Sequence, residues 1–241
     1  MAFDLPDSTG LITLQQLSAA TSFNRWLFQT IEPFCRGRIL EIGSGIGNLS
    51  RLFLEKQLQL TVSDVEPEYC RILSRELTKY STLEDIKLLD IAATGIEEQF
   101  PDLMGQFDTI VAVNVIEHIE NDRQAVSNCK KMLKPGARLV VLVPAYQLLY
   151  NRLDKELGHY RRYTTVSLQK LLESQGLQVL NQMQFNAAGL LGWVVSGSIL
   201  QKKIIPEGPL HLYDKLVPFL KIIDRITMHR LGLSVIQVAS A

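Results

Sequence analysis

Across its 241 residues the chain carries 25 Lys and Arg against 25 Asp and Glu and is 46% hydrophobic. That length suits one large α/β domain, and the apolar share can fill its core without disulfide or metal staples. A formal charge of zero lacks the broad positive footprint of a phosphate-backbone binder, so nucleic acid is not expected as a partner.

The opening "MAFDLPDSTG" has acidic residues and no basic-then-apolar run, so no secretory leader is expected. From 20 to 34, "ATSFNRWLFQTIEPF" has amphipathic helical spacing. Short β-branched runs then recur as expected strands: "RILEIG" (38–43), "QLTVSD" (59–64), "IKLLDI" (86–91), "FDTIVAVNV" (107–115) and "RLVVLVPA" (138–145). Helical stretches at 49–56, 67–80 and 121–133 separate them. This alternation argues for a parallel sheet with helices on both faces. "LKPGA" (133–137) ends one helix and turns into the fifth strand. A helix at 167–174, a sixth strand at 176–185 and a seventh at 233–240 complete the pattern.

The stretch between the last two strands is too long for a hairpin loop and should carry structure of its own. Its apolar part, "AAGLLGWVVSGSIL" (187–200), falls short of the ~20 residues needed to span a bilayer. A helix is expected to start at Pro218, with Phe219, Ile222, Ile223 and Ile226 along one side. Residues 201–230 are basic, with Lys202, Lys203, Lys215, Lys221, Arg225 and Arg230 against Glu207, Asp214 and Asp224. Cys35, Cys70 and Cys129 have neither zinc-site nor disulfide spacing and read as reduced thiols of a cytoplasmic protein.

"EIGSGIGNL" (41–49) leaves the first strand with Gly43, Gly45 and Gly47, but Asn48 stands where a dinucleotide fingerprint wants its third glycine. Glu41 beside the turn repels a pyrophosphate and suits a ligand bearing ammonium and sulfonium groups. Asp64 ends the second strand, where a carboxylate can accept from ribose hydroxyls. Asp90, ending the third expected strand, can meet the exocyclic amine of an adenine.

The segments "LEIGSGIGNLS", "VSDVEPEY", "LLDI", "FDTIVAVNVIEHI" and "LKPGARLVVLVP", in that order from Arg38 to Ala145, resemble the class I S-adenosylmethionine-dependent methyltransferases. "VIEHI" is most similar to their quinone and lipid methyltransferases, and Ala137 departs from the pattern where a second glycine is common. The resemblance implies a single Rossmann-like α/β domain with a seven-stranded mixed sheet of order 3-2-1-4-5-7-6, its last strand antiparallel. Residues 1–36 would form a helical cover, 37–185 the cofactor-binding core, 186–232 a helical insertion and 233–241 the final strand. It further implies that Glu41, Gly43, Gly45 and Gly47 line the methionine end of S-adenosylmethionine, with Asp64 on the ribose and Val65 on the adenine face. Asp90 and Ile91 would hold the adenine edge, and Asn114 would lie beneath the cofactor. By the same analogy the 20–34 helix covers the site, with Phe23, Asn24 or Arg25 against it. S-adenosylhomocysteine would be the product, and no metal is implied.

His118 follows the fourth strand, where open parallel sheets place ligands, and is the first candidate for a general base. Glu117 could orient His118 or cap the helix that follows it, the second being favoured. "GHYRRYT" (158–164) places His159, Tyr160 and Tyr163 as walls or proton carriers, and Arg161 and Arg162 as forks for an anionic substrate. The competing reading pairs both arginines with Asp154 and Glu156 in a surface cluster. "LDKELGHYRRYT" resembles a bacterial branch associated with glycan and lipid-carrier metabolism. The expected reaction is methyl transfer to a small-molecule or lipid-like acceptor at oxygen. The expected place is the cytoplasm, with peripheral contact at the inner membrane face through 187–230. That stretch could equally close over an acceptor, pack on its own sheet edge or join a second subunit. A cofactor-binding module without catalysis and a NAD-dependent oxidoreductase are the alternatives.

Overall fold

The computed structural model describes residues 8–199 and 207–241. Two helices, α1 (Ser8–Ala19) and α2 (Thr21–Ile31), precede the first strand. Then come β1 (Ile39–Ile42), α3 (Ser50–Glu55), β2 (Leu60–Asp64), α4 (Pro67–Leu77), β3 (Leu83–Leu88), α5 (Ile96–Gln99), β4 (Phe107–Val113), α6 (Asp122–Met132) and β5 (Leu133–Pro144). The chain continues through α7 (Arg152–Glu156), α8 (Thr165–Ser174), β6 (Gln178–Phe185), α9 (Gly189–Trp193), α10 (Glu207–Ile226) and β7 (Ser234–Ser240). The sheet order is β3-β2-β1-β4-β5-β7-β6. Pairing is parallel from β3 to β5, and β7 runs antiparallel to both β5 and β6. This is the expected Rossmann-like sheet.

Strand alternation divides the core in two. Leu40, Ile42, Ile110, Ala112, Val141 and Val143 face the side covered by α6 and α8. Ile39, Val111, Val140 and Leu142 face α2, α3, α4 and α10. Glu41 shares parity with Ile39 and so points toward α3, which begins with Ser50.

Three expected elements are placed differently, the first being the "LKPGA" turn (133–137), which lies inside β5 where the pairing register with β4 shifts and Gly136 has a positive φ. β3 starts at Leu83 and ends at Leu88, so the expected 86–91 strand is set three residues too late. It is the sheet's edge, where half-exposed Glu84, Asp85 and Lys87 suffice, while the apolar Leu89 and Ile91 anchor the following loop in the core. The helix expected to begin at Pro218 instead runs from Glu207 through it. Tertiary bonds explain the earlier part: the Asp214 carboxylate accepts from the Ser22 and Phe23 amides at 3.2 and 2.7 Å, capping α2, whose own N-cap residue Ala20 has no polar side chain. Asp224, fully buried further along α10, accepts from the Asn186 and Ala187 amides at 2.7 and 2.8 Å. These two acids tie α10 to the start of α2 and to the residues just past β6. Lys202 and Lys203 lie outside the described residues. Among those described, no helix is long and apolar enough to cross a membrane.

Candidate functional site

A cavity of about 760 Å³ opens at the carboxyl ends of β1, β2 and β4, where strand order reverses. Glu41, Gly43, Gly45, Asp64, Val65, Asp90, Ile91 and Asn114, all expected at a cofactor, stand on its wall. Gly47 does not: it packs under α4, where an added Cβ would lie 3.1 Å from Leu73. Gly43 has a φ of +68°, and a Cβ there would stand 2.5 Å from Val115, so only glycine suits that bend. Asn114 is held at φ +53° at the end of β4, strain of the kind found where a side chain must be aimed into a site.

Glu41 is 4% exposed and accepts from Ser50 Oγ at 2.5 Å and Ser44 Oγ at 3.1 Å. Burial pushes its carboxyl up to about 7, against the pull of both serines. A cationic ligand would relieve that desolvated carboxylate, which fits the amino acid end of a sulfonium cofactor. Asp64 accepts from the Gly45 amide at 2.8 Å and the Glu66 amide at 3.0 Å, so it fixes the glycine turn as well as facing the cavity. Asp90 is exposed at the other end and accepts from the Ala92 amide at 2.8 Å. Buried carboxylate, glycine bend and exposed acid therefore line one cavity.

His118 and His159 meet edge to face with ring centroids 4.6 Å apart, and both line the cavity. Burial, followed by the neighbouring His159 and opposed by the Leu157 backbone, holds His118 down to about 4, so its imidazole is neutral. Glu117 is wholly buried, and neither carboxylate oxygen has a hydrogen-bond partner among the described residues. Burial pushes its carboxyl up to about 8. It is not the cap expected for α6, because Asn121 fills that role by accepting from the Gln124 amide. Glu117, His118 and His159 bring one potential ligand atom each within 4.8 Å of one another, a spacing that could hold a cation or pass a proton.

The "GHYRRYT" residues separate. Arg162 reaches the cavity wall, while Tyr160, Arg161 and Tyr163 do not. Tyr160 is 53% exposed, Arg161 pairs with Asp122 at 2.7 Å, and the Tyr163 hydroxyl donates to the same Asp122 at 2.9 Å. Arg162 bonds Asp154 at 2.7 Å, as the salt-bridge reading has it, but this pair is buried rather than on the surface, and Glu156 pairs with Arg152. Phe23 and Asn24 line the cavity as expected of the helix before β1, and Arg25 does not. Sequence reasoning missed Thr13, Leu14 and Leu17 on α1, because that helix has no apolar stripe to announce it. It also missed Trp193, which lines the cavity and lies 4.4 Å from the Arg162 guanidinium.

Residues 40–139 match a family model described as "Methyltransferase domain". Among curated proteins, the ubiquinone biosynthesis O-methyltransferase of Xanthomonas euvesicatoria is 24% identical over 155 residues, covering 59% of this chain and 63% of that protein. The enzyme of the same name from Xylella fastidiosa is 28% identical over 109 residues, 45% of this chain and 42% of its own. These matches span less than two thirds of either relative's length. A solved S-adenosylmethionine-dependent methyltransferase from Archaeoglobus fulgidus has a TM-score of 0.57 at 16% identity, covering 90% of this chain and 94% of that one. The [4+2]-cyclase SpnF aligns with a TM-score of 0.61 at 17% identity, over 90% and 80% of the two chains. At such identities the structures show the fold alone, and one fold here carries more than one chemistry. Residues 40–139 thus match a methyltransferase domain, and the ordered motifs, the sheet and the acid-lined cavity are similar to those of the class I S-adenosylmethionine-dependent methyltransferases, a family whose cofactor is S-adenosylmethionine and whose spent cofactor is S-adenosylhomocysteine.

Proposed function

We propose that the protein transfers a methyl group from S-adenosylmethionine to a hydroxyl oxygen of a small or lipid-like acceptor. The observation that carries this reading is that Asp90, Glu41 and the His118 and His159 pair all line one cavity. The cofactor supplies an electrophilic methyl carbon on a sulfonium. Residues of this chain would hold it in a dry, shaped slot and align the acceptor for in-line displacement. His159 is the proton acceptor, and the neutral His118 packs its ring against it. With the cofactor bound, it would supply the methyl group and retain the carbon–sulfur electron pair as a thioether, while His159 would take the proton that the acceptor hydroxyl loses. Glu117 is read as a neutral member of this proton-handling cluster, with no metal assigned. The relatives named as ubiquinone biosynthesis O-methyltransferases support oxygen as the target atom.

A lipid-like acceptor is supported by the apolar wall from Leu14, Leu17, Leu27 and Trp193. It is supported also by α10, which exposes Leu212, Leu216, Phe219, Ile222, Ile223 and Ile226. Asp214 and Asp224 turn inward to bond backbone amides, while Lys215 and Arg225 are exposed and Lys221 is half-buried. A face of that kind suits peripheral contact with an anionic membrane. The test is incubation with methyl-labelled S-adenosylmethionine and a bacterial extract, followed by partition between organic solvent and water. Label in the organic phase is expected; label confined to water-soluble or protein fractions would sink the lipid-like acceptor.

A further inference from the structure

We propose that Asp154 and Arg162 are positioning residues that hold His159 in the one tautomer able to take a proton from the acceptor. The inference rests on the reading of His159 as proton acceptor. Asp154 is wholly buried, and its carboxylate is fixed from three directions. Oδ1 meets His159 Nδ1 at 2.8 Å and accepts from Arg162 Nε at 2.7 Å, while Oδ2 accepts from the Asn151 amide at 2.9 Å at the start of α7. Burial raises the carboxyl, yet the His159 and Arg162 contacts outweigh it and keep the group below its ordinary range. An ionised carboxylate only accepts, so Nδ1 must carry a proton, and in the neutral imidazole Nε2 then keeps the lone pair.

Arg162 keeps that carboxylate charged. Its side chain is 1% exposed, donates from Nη1 to the Ala145 carbonyl at 3.0 Å just past β5, and stacks on Trp193. Without this partner the buried Asp154 would keep the His159 and Asn151 contacts but lose the guanidinium's permanent charge, which favours uptake of a proton. A protonated Asp154 could itself donate to Nδ1, and the tautomer would be lost. The other groups around His159 are the His118 ring, the Glu117 carboxyl and the Tyr150 hydroxyl, which donates to the His159 carbonyl at 2.6 Å. None of these hydrogen-bonds the His159 imidazole among the described residues, so its tautomer is set from Asp154 alone. The spacing Asp154, His159, Arg162 thus brings a short helix, a loop and the end of β5 onto one carboxylate beside the cavity.

The experiment is a long-range proton–nitrogen correlation spectrum of histidine-labelled full-length protein. The His159 ring is assigned from its loss in His159→Gln. Wild type should show Nδ1 protonated and Nε2 bare. Asp154→Asn, which can donate to the ring, should switch the proton to Nε2 and leave S-adenosylhomocysteine affinity by calorimetry unchanged. Label transfer in the extract assay should fall about 10²- to 10⁴-fold, the usual contribution of a positioned base. Arg162→Lys, which keeps the charge and loses the planar fork, should give mixed tautomers and serves if Asp154→Asn does not fold. A ring that keeps its Nδ1 proton in both variants would overturn the inference, whatever happens to transfer. A tautomer that switches with no change in transfer would instead overturn the role given to His159, on which the inference rests.

Discussion

Asp64 shows how much one carboxylate can do for a site. It already holds the Gly45 and Glu66 amides, so Asp64→Ala frees two backbone donors in the glycine turn as well as removing an acceptor for a ribose. We expect S-adenosylhomocysteine affinity to weaken by about 1 to 3 kcal/mol, the range for a hydrogen bond to a charged group with a buried partner left behind. Calorimetry showing unchanged affinity would remove Asp64 from the cofactor site. Glu117 makes a different prediction. Its carboxyl is raised to about 8, so the folded state keeps a proton that the unfolded chain releases near its ordinary value. Stability contributed by neutral Glu117 is therefore full at low pH and falls between roughly pH 4.5 and pH 8, by up to ~1.4 kcal/mol per unit. Glu117→Gln should match wild type in thermal unfolding near pH 5 and exceed it near pH 8; parallel curves across that range would show that Glu117 does not carry a buried proton. The cavity-lining residues of the glycine turn and of the ends of β2 and β4 were legible because they sit at fixed offsets from those strands. The role of Asp154 was not, because nothing in "LDKELGHYRRYT" says that Arg162 and His159 turn to the same carboxylate while Arg161 turns away.

Elements were legible in proportion to their burial. The buried centres of β4 (110–112) and β5 (139–143) read as apolar runs. β3, at the edge, reads as polar, and its apolar neighbours drew the expected strand beyond its end. The N-terminal part of α10 was hidden for another reason: Pro218 is a good first-turn residue, and only a contact 192 positions away shows why the helix begins earlier. That contact can be tested. Asp214→Ala removes the cap of α2 and should cost about 1 kcal/mol, as loss of an N-cap acceptor does. Amide exchange should quicken at Ser22 and Phe23 before it changes in β4 or β5. Equal protection at those amides would show that Asp214 is not their cap.

At the scale of the whole molecule, charge and apolar surface are sorted although the sum is zero. If the outer face of α10 meets a membrane, the protein should sediment with vesicles of phosphatidylglycerol in phosphatidylcholine and be released by salt. Phe219→Asp combined with Ile226→Asp should abolish that sedimentation and spare S-adenosylhomocysteine binding. Equal sedimentation by wild type and the double variant would place the contact elsewhere. The sheet carries a consequence of its own. β7 is the last of the seven strands in the chain, yet it lies between β5 and β6, pairing with β5 from Arg138 to Pro144 and with β6 from Gln178 to Phe185. On a ribosome, β6 therefore emerges with no strand to join, and the gap waits until residues 234–240 arrive. Phe185, fully buried at the end of β6 and 4.4 Å from Trp26, would meet solvent in that interval. A nascent chain stalled before residue 234 would thus offer one open strand edge and one bare aromatic, the features that chaperones and aggregation both seek.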